Sequence, residues 1–268
     1  MGWGLPAIAT VVLSLPVAGT SSLPDTFHAP WDSLLQQYVW AGRLDVVGIA
    51  QDPRFEHYLE SLAQARPETA SREAQMAFWL NAYNACGVAL LVRRPGLRYL
   101  SLEALDSLAR ADTFCIAGEE HTLVTLRLRL QRFGEPLLHF GAGGITRGFP
   151  PLSRRAFTAA ALRRQLVATA RAFLRSARGC LLDAETNTLW LSPLLAWYRA
   201  DFERDGKSLL HTVAQYAEPA VAAFIAARRR DLQVRFLNFD GETIARYAPS
   251  PARPIKPLLQ SKSRSRGS

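Results

Sequence analysis

The sequence predicts a mostly helical α+β fold, a single domain with short β-hairpins around a buried central helix. Three observations predict it. Apolar residues recur at helical spacing in several separate segments, one of those segments is apolar nearly all round, and short strand-turn-strand patterns interrupt the helices.

Trp31, Leu34, Leu35 and Tyr38 share one face of a helix expected over 32–40, and Phe55, Tyr58, Leu59 and Leu62 do the same over 54–65. Thr69 or Ser71 then caps a third helix, with Glu73 in its first turn and Pro95-Gly96 beyond its end. Its run from Met76 to Val92 is apolar on every side, so this helix belongs inside rather than on the surface. Burial of about ten such side chains, at roughly 1.5–3 kcal/mol each, outweighs any intrinsic helix propensity.

A helix over 102–109 follows, then a hairpin whose strands are expected at 114–117 and 121–124, turning at Gly118-Glu119-Glu120. Residues 126–133 and 157–177 read as helix, and 180–183 with 188–191 as a second hairpin. Ser192 followed by Pro193 is a preferred helix start, here for a helix over 194–202. Helices over 208–216 and 219–229 and a strand over 232–239 complete the pattern, with no internal repeat.

The 268 residues carry a formal charge of +9, and Arg253, Lys256, Lys262, Arg264 and Arg266 contribute much of it from the last segment. Residues 249–268 are expected to be a solvated, disordered basic tail. What remains is mildly basic without a basic stripe interleaved with aromatics, so no nucleic-acid partner is expected. Residues 1–24 hold no Lys or Arg, and 7–17 are largely apolar up to the small residues Ala18 and Gly19. Residues 1–20 are therefore expected to be a signal peptide, giving an exported protein, periplasmic or secreted, with 21–248 as one globular domain and no membrane span after processing. Cys86, Cys115 and Cys180 allow one disulfide at most; Cys115 and Cys180, each near a strand start, are the expected couple, and Cys86 is expected to be a buried thiol.

Several chemistries are excluded by motif. The loop Gly141-Ala142-Gly143-Gly144-Ile145-Thr146-Arg147-Gly148 has Thr146 where a dinucleotide loop needs glycine, and Phe149 where a phosphate loop needs lysine. No Gly-x-Ser-x-Gly elbow exists, and His28, His57, His121, His139 and His211 are too dispersed for a zinc helix. No metal or other cofactor is expected.

Two clusters carry potential chemistry. Asn81 and Asn84 lie three residues apart on the apolar helix, beside Tyr83, and a buried unpaired amide costs roughly 1–3 kcal/mol. These amides must meet backbone, water or ligand. His139 precedes the glycine-rich loop, whose N–H groups beside Arg147 are expected to form an anion-holding concavity. His139 itself reads either as a satisfied core residue or as part of a site.

The segments Phe78-Trp79-Leu80-Asn81-Ala82-Tyr83-Asn84, His139-Phe140 before the loop ending Pro150-Pro151-Leu152, and Leu191-Ser192 with Trp197-Tyr198 and Asp201-Phe202 resemble the family called domain of unknown function 547. Trp31 to Val39, Gly42-Arg43-Leu44-Asp45 and Tyr58-Leu59 extend the likeness to about 27–247. The resemblance implies loop cysteines at the positions held here by Gly144 and Phe149, and an aromatic where Gly241 stands, so a Cys/His catalyst is not expected of this chain. A pocket of Asn81, Tyr83, Asn84, His139, Arg147, Trp197 and Asp201 is expected, taking a small polar or anionic ligand. Alternatives are a hydrolase or transferase with His139 as general base oriented by Asp201, and a structural envelope protein.

Overall fold

A helix in which every residue from Met76 to Leu91 is buried sets the architecture, because everything else has to wrap it. The structure, a computed structural model, describes residues 23–247 apart from 25 and 229. The expected signal peptide and basic tail lie outside the described residues.

The chain begins with α1 (Ala29–Tyr38), a small hairpin of β1 (Val39–Trp40) and β2 (Arg43–Asp45), α2 (Val46–Ala50) and α3 (Pro53–Gln64). Trp31 of α1 stacks on Tyr58 of α3 with ring centroids 5.5 Å apart, which locks the first two long helices together. The central helix α4 (Arg72–Val92) starts where the Ser71 hydroxyl accepts a hydrogen bond from Ala74 N–H. It is followed by α5 (Leu102–Ala111), the hairpin β3 (Phe114–Ile116) and β4 (Glu119–His121), α6 (Leu123–Gln131) and the one-turn α7 (Leu138–Gly141). Then come α8 (Leu162–Leu174), β5 (Cys180–Asp183), β6 (Thr188–Leu191), α9 (Pro193–Trp197), α10 (Arg199–Phe202), α11 (Leu209–Tyr216), α12 (Pro219–Arg228), β7 (Gln233–Phe236) and β8 (Ala245–Arg246). The fold is mostly helical α+β, as the patterning predicts.

Several boundaries differ from expectation for identifiable reasons. The β3–β4 hairpin turns at Ala117 and Gly118, both at positive φ, a two-residue turn that brings Glu119 opposite Ile116. The second strand therefore ends at His121 rather than beginning there, and Thr122 with Thr125 forms a capping box that opens α6. Helix α8 starts five residues later than the pattern suggests, because the Phe157 N–H and carbonyl are already bonded to the Asn81 side chain. The helix expected over 194–202 breaks at Tyr198, which leaves helical geometry (φ −110, ψ 24). The last expected strand is shorter, Gln233–Phe236, and pairs parallel with β6.

One sheet has no counterpart in the sequence pattern. β2 pairs antiparallel with β1 and parallel with β8, tying Leu44 to Ala245 across the chain. The expected Cys115–Cys180 disulfide is absent: Cys115 is exposed on the β3–β4 hairpin, Cys180 is buried in a different sheet, and both are free thiols. Cys86 is buried within α4, and burial pushes its thiol above the ordinary range. Among the described residues no helix is long and apolar enough to cross a membrane.

Candidate functional site

The two asparagines of α4 both turn to backbone. Asn81, with no exposed surface, donates through Nδ2 to the Phe157 carbonyl at 2.8 Å and accepts from Phe157 N–H at 2.9 Å. Both halves of its amide bond the Phe157 backbone, so Asn81 pins the entry of α8. Asn84 donates to the Gly141 carbonyl at 3.1 Å and fixes the start of the glycine-rich loop; its Oδ1 is buried without a partner.

The loop itself is a closed structure rather than an anion nest. The N–H groups of Gly143, Gly144, Arg147 and Gly148 donate to the carbonyls of Gly141, Pro150, Glu242 and Asp240 in turn. Arg147 places its guanidinium on Glu242 (2.5 Å) and beside Asp240 (3.6 Å), and Arg43 pairs with the same Glu242. The expected concavity beside Arg147 is not what these four N–H groups form: each is bonded within the backbone, and the Arg147 charge is matched by Glu242 and Asp240. Gly144 is required by close approach, since a Cβ there would sit 2.3 Å from Phe149 Cβ. The two positions that the family likeness assigns to cysteine are therefore neighbours, and in this chain the Phe149 side chain occupies the space that glycine leaves.

Tyr83 and Trp197 do meet, across a cavity of about 340 Å³ between α4, α5, α6, the glycine loop and α9. Leu102, Leu105, Leu123, Val124 and Leu128 supply one wall, and Phe149, Trp197 and Tyr198 the other. The rim is open to solvent at the apolar residues Leu102, Leu128 and Trp197, which are 45%, 50% and 42% exposed, and carries the exposed Asp106–Arg110 ion pair beside them. Trp197 is held there by ring contacts to Phe149 and Phe239 at 5.7 and 5.8 Å.

Arg127 also lines this cavity, and sequence patterning passes over it as one of many arginines in a helix. It is only 7% exposed. Nη2 donates to the Tyr83 hydroxyl at 2.6 Å, and the guanidinium carbon lies 4.4 Å from the centre of the Tyr83 ring and 5.3 Å from that of Tyr198. Nη1 is buried with no partner, and among the described residues no carboxylate forms an ion pair with Arg127. Burial opposes its charge, while the Tyr83 and Tyr198 hydroxyls favour it strongly enough to leave its pKa above the ordinary value.

Behind Arg127 stand His139 and Asp201, the pair suggested from sequence, with His139 Nε2 2.9 Å from Asp201 Oδ2. Asp201 also accepts from Gln131 at 2.8 Å and Arg204 at 2.9 Å; although burial opposes its charge, these donors and His139 hold its carboxyl below the usual range. An ionised Asp201 can only accept, so Nε2 carries the His139 proton and Nδ1 the lone pair. Burial first, and the Arg127 charge second, pull the His139 pKa down to about 4. The imidazole, 4% exposed, stacks on Tyr198 at 4.1 Å.

The expected constellation therefore divides in three. Tyr83 and Trp197 wall the cavity, His139 and Asp201 lie behind its Arg127 floor, and Asn84 and Arg147 hold the glycine-rich loop while Asn81 holds the entry of α8. Such an arrangement defines an α+β domain built on one buried helix, with an aromatic-walled cavity backed by a neutral histidine and a carboxylate. The sequence model of the family described as Protein of unknown function, DUF547, matches residues 67–174, and over that segment the chain resembles the family. This stretch runs from the turn before α4 to the end of α8, so it contains Tyr83, Arg127, His139 and the loop but not Trp197 or Asp201. No curated protein and no solved structure matches the chain.

Proposed function

We propose that the chain is a ligand-binding protein whose site is the cavity between Tyr83 and Trp197. The carrying observation is that cavity: about 340 Å³, walled largely by aromatic and aliphatic side chains and open to solvent beside Leu102, Leu128 and Trp197. Its volume suits a small organic molecule, and its lining favours one with an apolar body. The test is titration with the uncharged, environment-sensitive dye N-phenyl-1-naphthylamine. One saturable site is expected, and Val124→Trp, which fills the cavity, should weaken binding at least about tenfold. Equal binding by a folded Val124→Trp protein would refute the reading.

The His139–Asp201 pair supports a second reading, general-base catalysis of hydrolysis or group transfer. With Nε2–H held by the carboxylate, Nδ1 of a neutral imidazole is the basic atom over most of the physiological pH range. A screen of aryl esters against the native chain and His139→Gln checks this; hydrolysis that persists unchanged in the variant removes it. Export is a further part of the proposal, supported by the uncharged and largely apolar stretch before Asp25. N-terminal sequencing of the protein from a cell envelope fraction should find a new end near residue 20, and an intact Met1 would count against it.

A further inference from the structure

Resting on the cavity being a ligand site, we infer that its ligand is a monoanionic organic acid whose carboxylate docks on Arg127 while its apolar body points to the rim. The charge on Arg127 is the observation that demands this. A guanidinium 7% exposed, with one hydrogen-bonded phenol and no carboxylate partner, is a buried cation without a counter-ion. Fixed anions stand elsewhere. Asp201 behind it is engaged by His139, Gln131 and Arg204, and Asp106, at the cavity edge, pairs with Arg110 at 2.9 Å.

The chemistry narrows to a single negative charge. Arg127 has one unpartnered nitrogen, Nη1, which has no accessible surface of its own, so docking requires the guanidinium to shift towards the acid; the Tyr83 hydroxyl, which accepts from Nη2, retains its own proton to donate. The loop adds little to that set, because the N–H groups of Gly143 and Gly144 are bonded within the backbone. One cation and two donors match a carboxylate, whereas a phosphate dianion would bring a second charge that nothing here neutralises. The direction of the ligand follows from polarity: the cation is at the floor, and Leu102, Leu128 and Trp197 are at the mouth. The niche behind Arg127, about 10 Å³, has room for no more than a water molecule, so the acid must enter from the aromatic side.

The experiment compares decanoate, decanol and decyl phosphate as displacers of N-phenyl-1-naphthylamine at neutral pH. Native protein should bind decanoate at least about tenfold tighter than decanol, with decyl phosphate weaker than decanoate. Arg127→Met should reduce the decanoate-over-decanol ratio to within about twofold, and Arg127→Lys, which keeps the charge, should retain most of it. Should the methionine variant fail to fold, the native ratio and the lysine variant still decide. Equal affinity of native protein for acid and alcohol, as a buried water on Nη1 would produce, overturns the inference while leaving the cavity a binding site. So does a preference that survives in folded Arg127→Met, or tighter binding of the phosphate. Failure of all three probes and the dye to bind would instead remove the ligand-binding reading beneath it.

Discussion

Two arginines flank the same glycine-rich loop and have opposite surroundings. Arg147 is a third exposed, sits on Glu242 and Asp240, and shares Glu242 with Arg43; Arg127 is buried, touches three aromatic rings and has no acid. Their sequence contexts point the other way, since Arg147 follows glycines and Arg127 lies inside an ordinary helix. What separates a structural cation from a candidate binding cation here is whether its counter-ion is already part of the chain.

The largest effect should come from a residue that belongs wholly to the structural side of this contrast. Asn81→Ala strands the Phe157 N–H and carbonyl in the core, at roughly 1–3 kcal/mol for each group. Denaturant unfolding should show a loss of about 3 kcal/mol; a loss under about 0.5 kcal/mol would mean that the amide is not the pin of α8. Gly144→Ala comes next, because its Cβ would overlap Phe149. It should cost about 1–3 kcal/mol, and much of that loss should vanish against a Phe149→Ala background. Additive losses in the double mutant cycle would break the link between the two positions.

Acid should destabilise the fold through two buried histidines, His28 beside Tyr58 and Phe78 and His139 behind the cavity. Burial holds His28 at about 3, and burial with the Arg127 charge holds His139 at about 4, while in the unfolded chain both titrate near 6.5. Below about pH 6.5 the unfolded state takes up protons that the folded one refuses. Stability should therefore be level above that value and fall as the pH drops towards 4, by roughly 1–2 kcal/mol per histidine between pH 7 and 5. Thermal unfolding across this range checks it, and His139→Gln should remove part of the slope; an unchanged slope would mean that this imidazole is not held neutral. The smallest effect belongs to Arg147→Met, whose half-open ion pairs are worth about 1 kcal/mol or less, read as a slight shift in unfolding midpoint.

Much of the fold was legible because long helices declare themselves. The Ser71 cap, the all-round apolar run of α4 and the hairpin at 180–191 follow from patterns of ten residues or more, or from turn chemistry. The β1-β2-β8 sheet was not, since strands of two or three residues have no period to detect and its parallel pairing joins chain ends two hundred residues apart. At the site, Tyr83 lies in the compact segment around Asn81 and Asn84 and His139 precedes the glycine-rich loop, whereas Trp197 and Asp201 were visible only through the family resemblance. Arg127 escaped because its meaning is a combination that no pattern displays: it is a buried arginine with no acid partner among the described residues. Arg147 misled for the converse reason, as its partners Asp240 and Glu242 lie more than ninety residues away.

The contrast between the two arginines is tested most directly by one pair of binding curves, decanoate titrated into Arg127→Met and into Arg147→Met, both verified as folded. Affinity about tenfold or more below native for the first, and within about twofold of native for the second, is the predicted result. The reverse order, or equal losses in both, would show that the buried cation is no ligand group and that the loop arginine was the better guide.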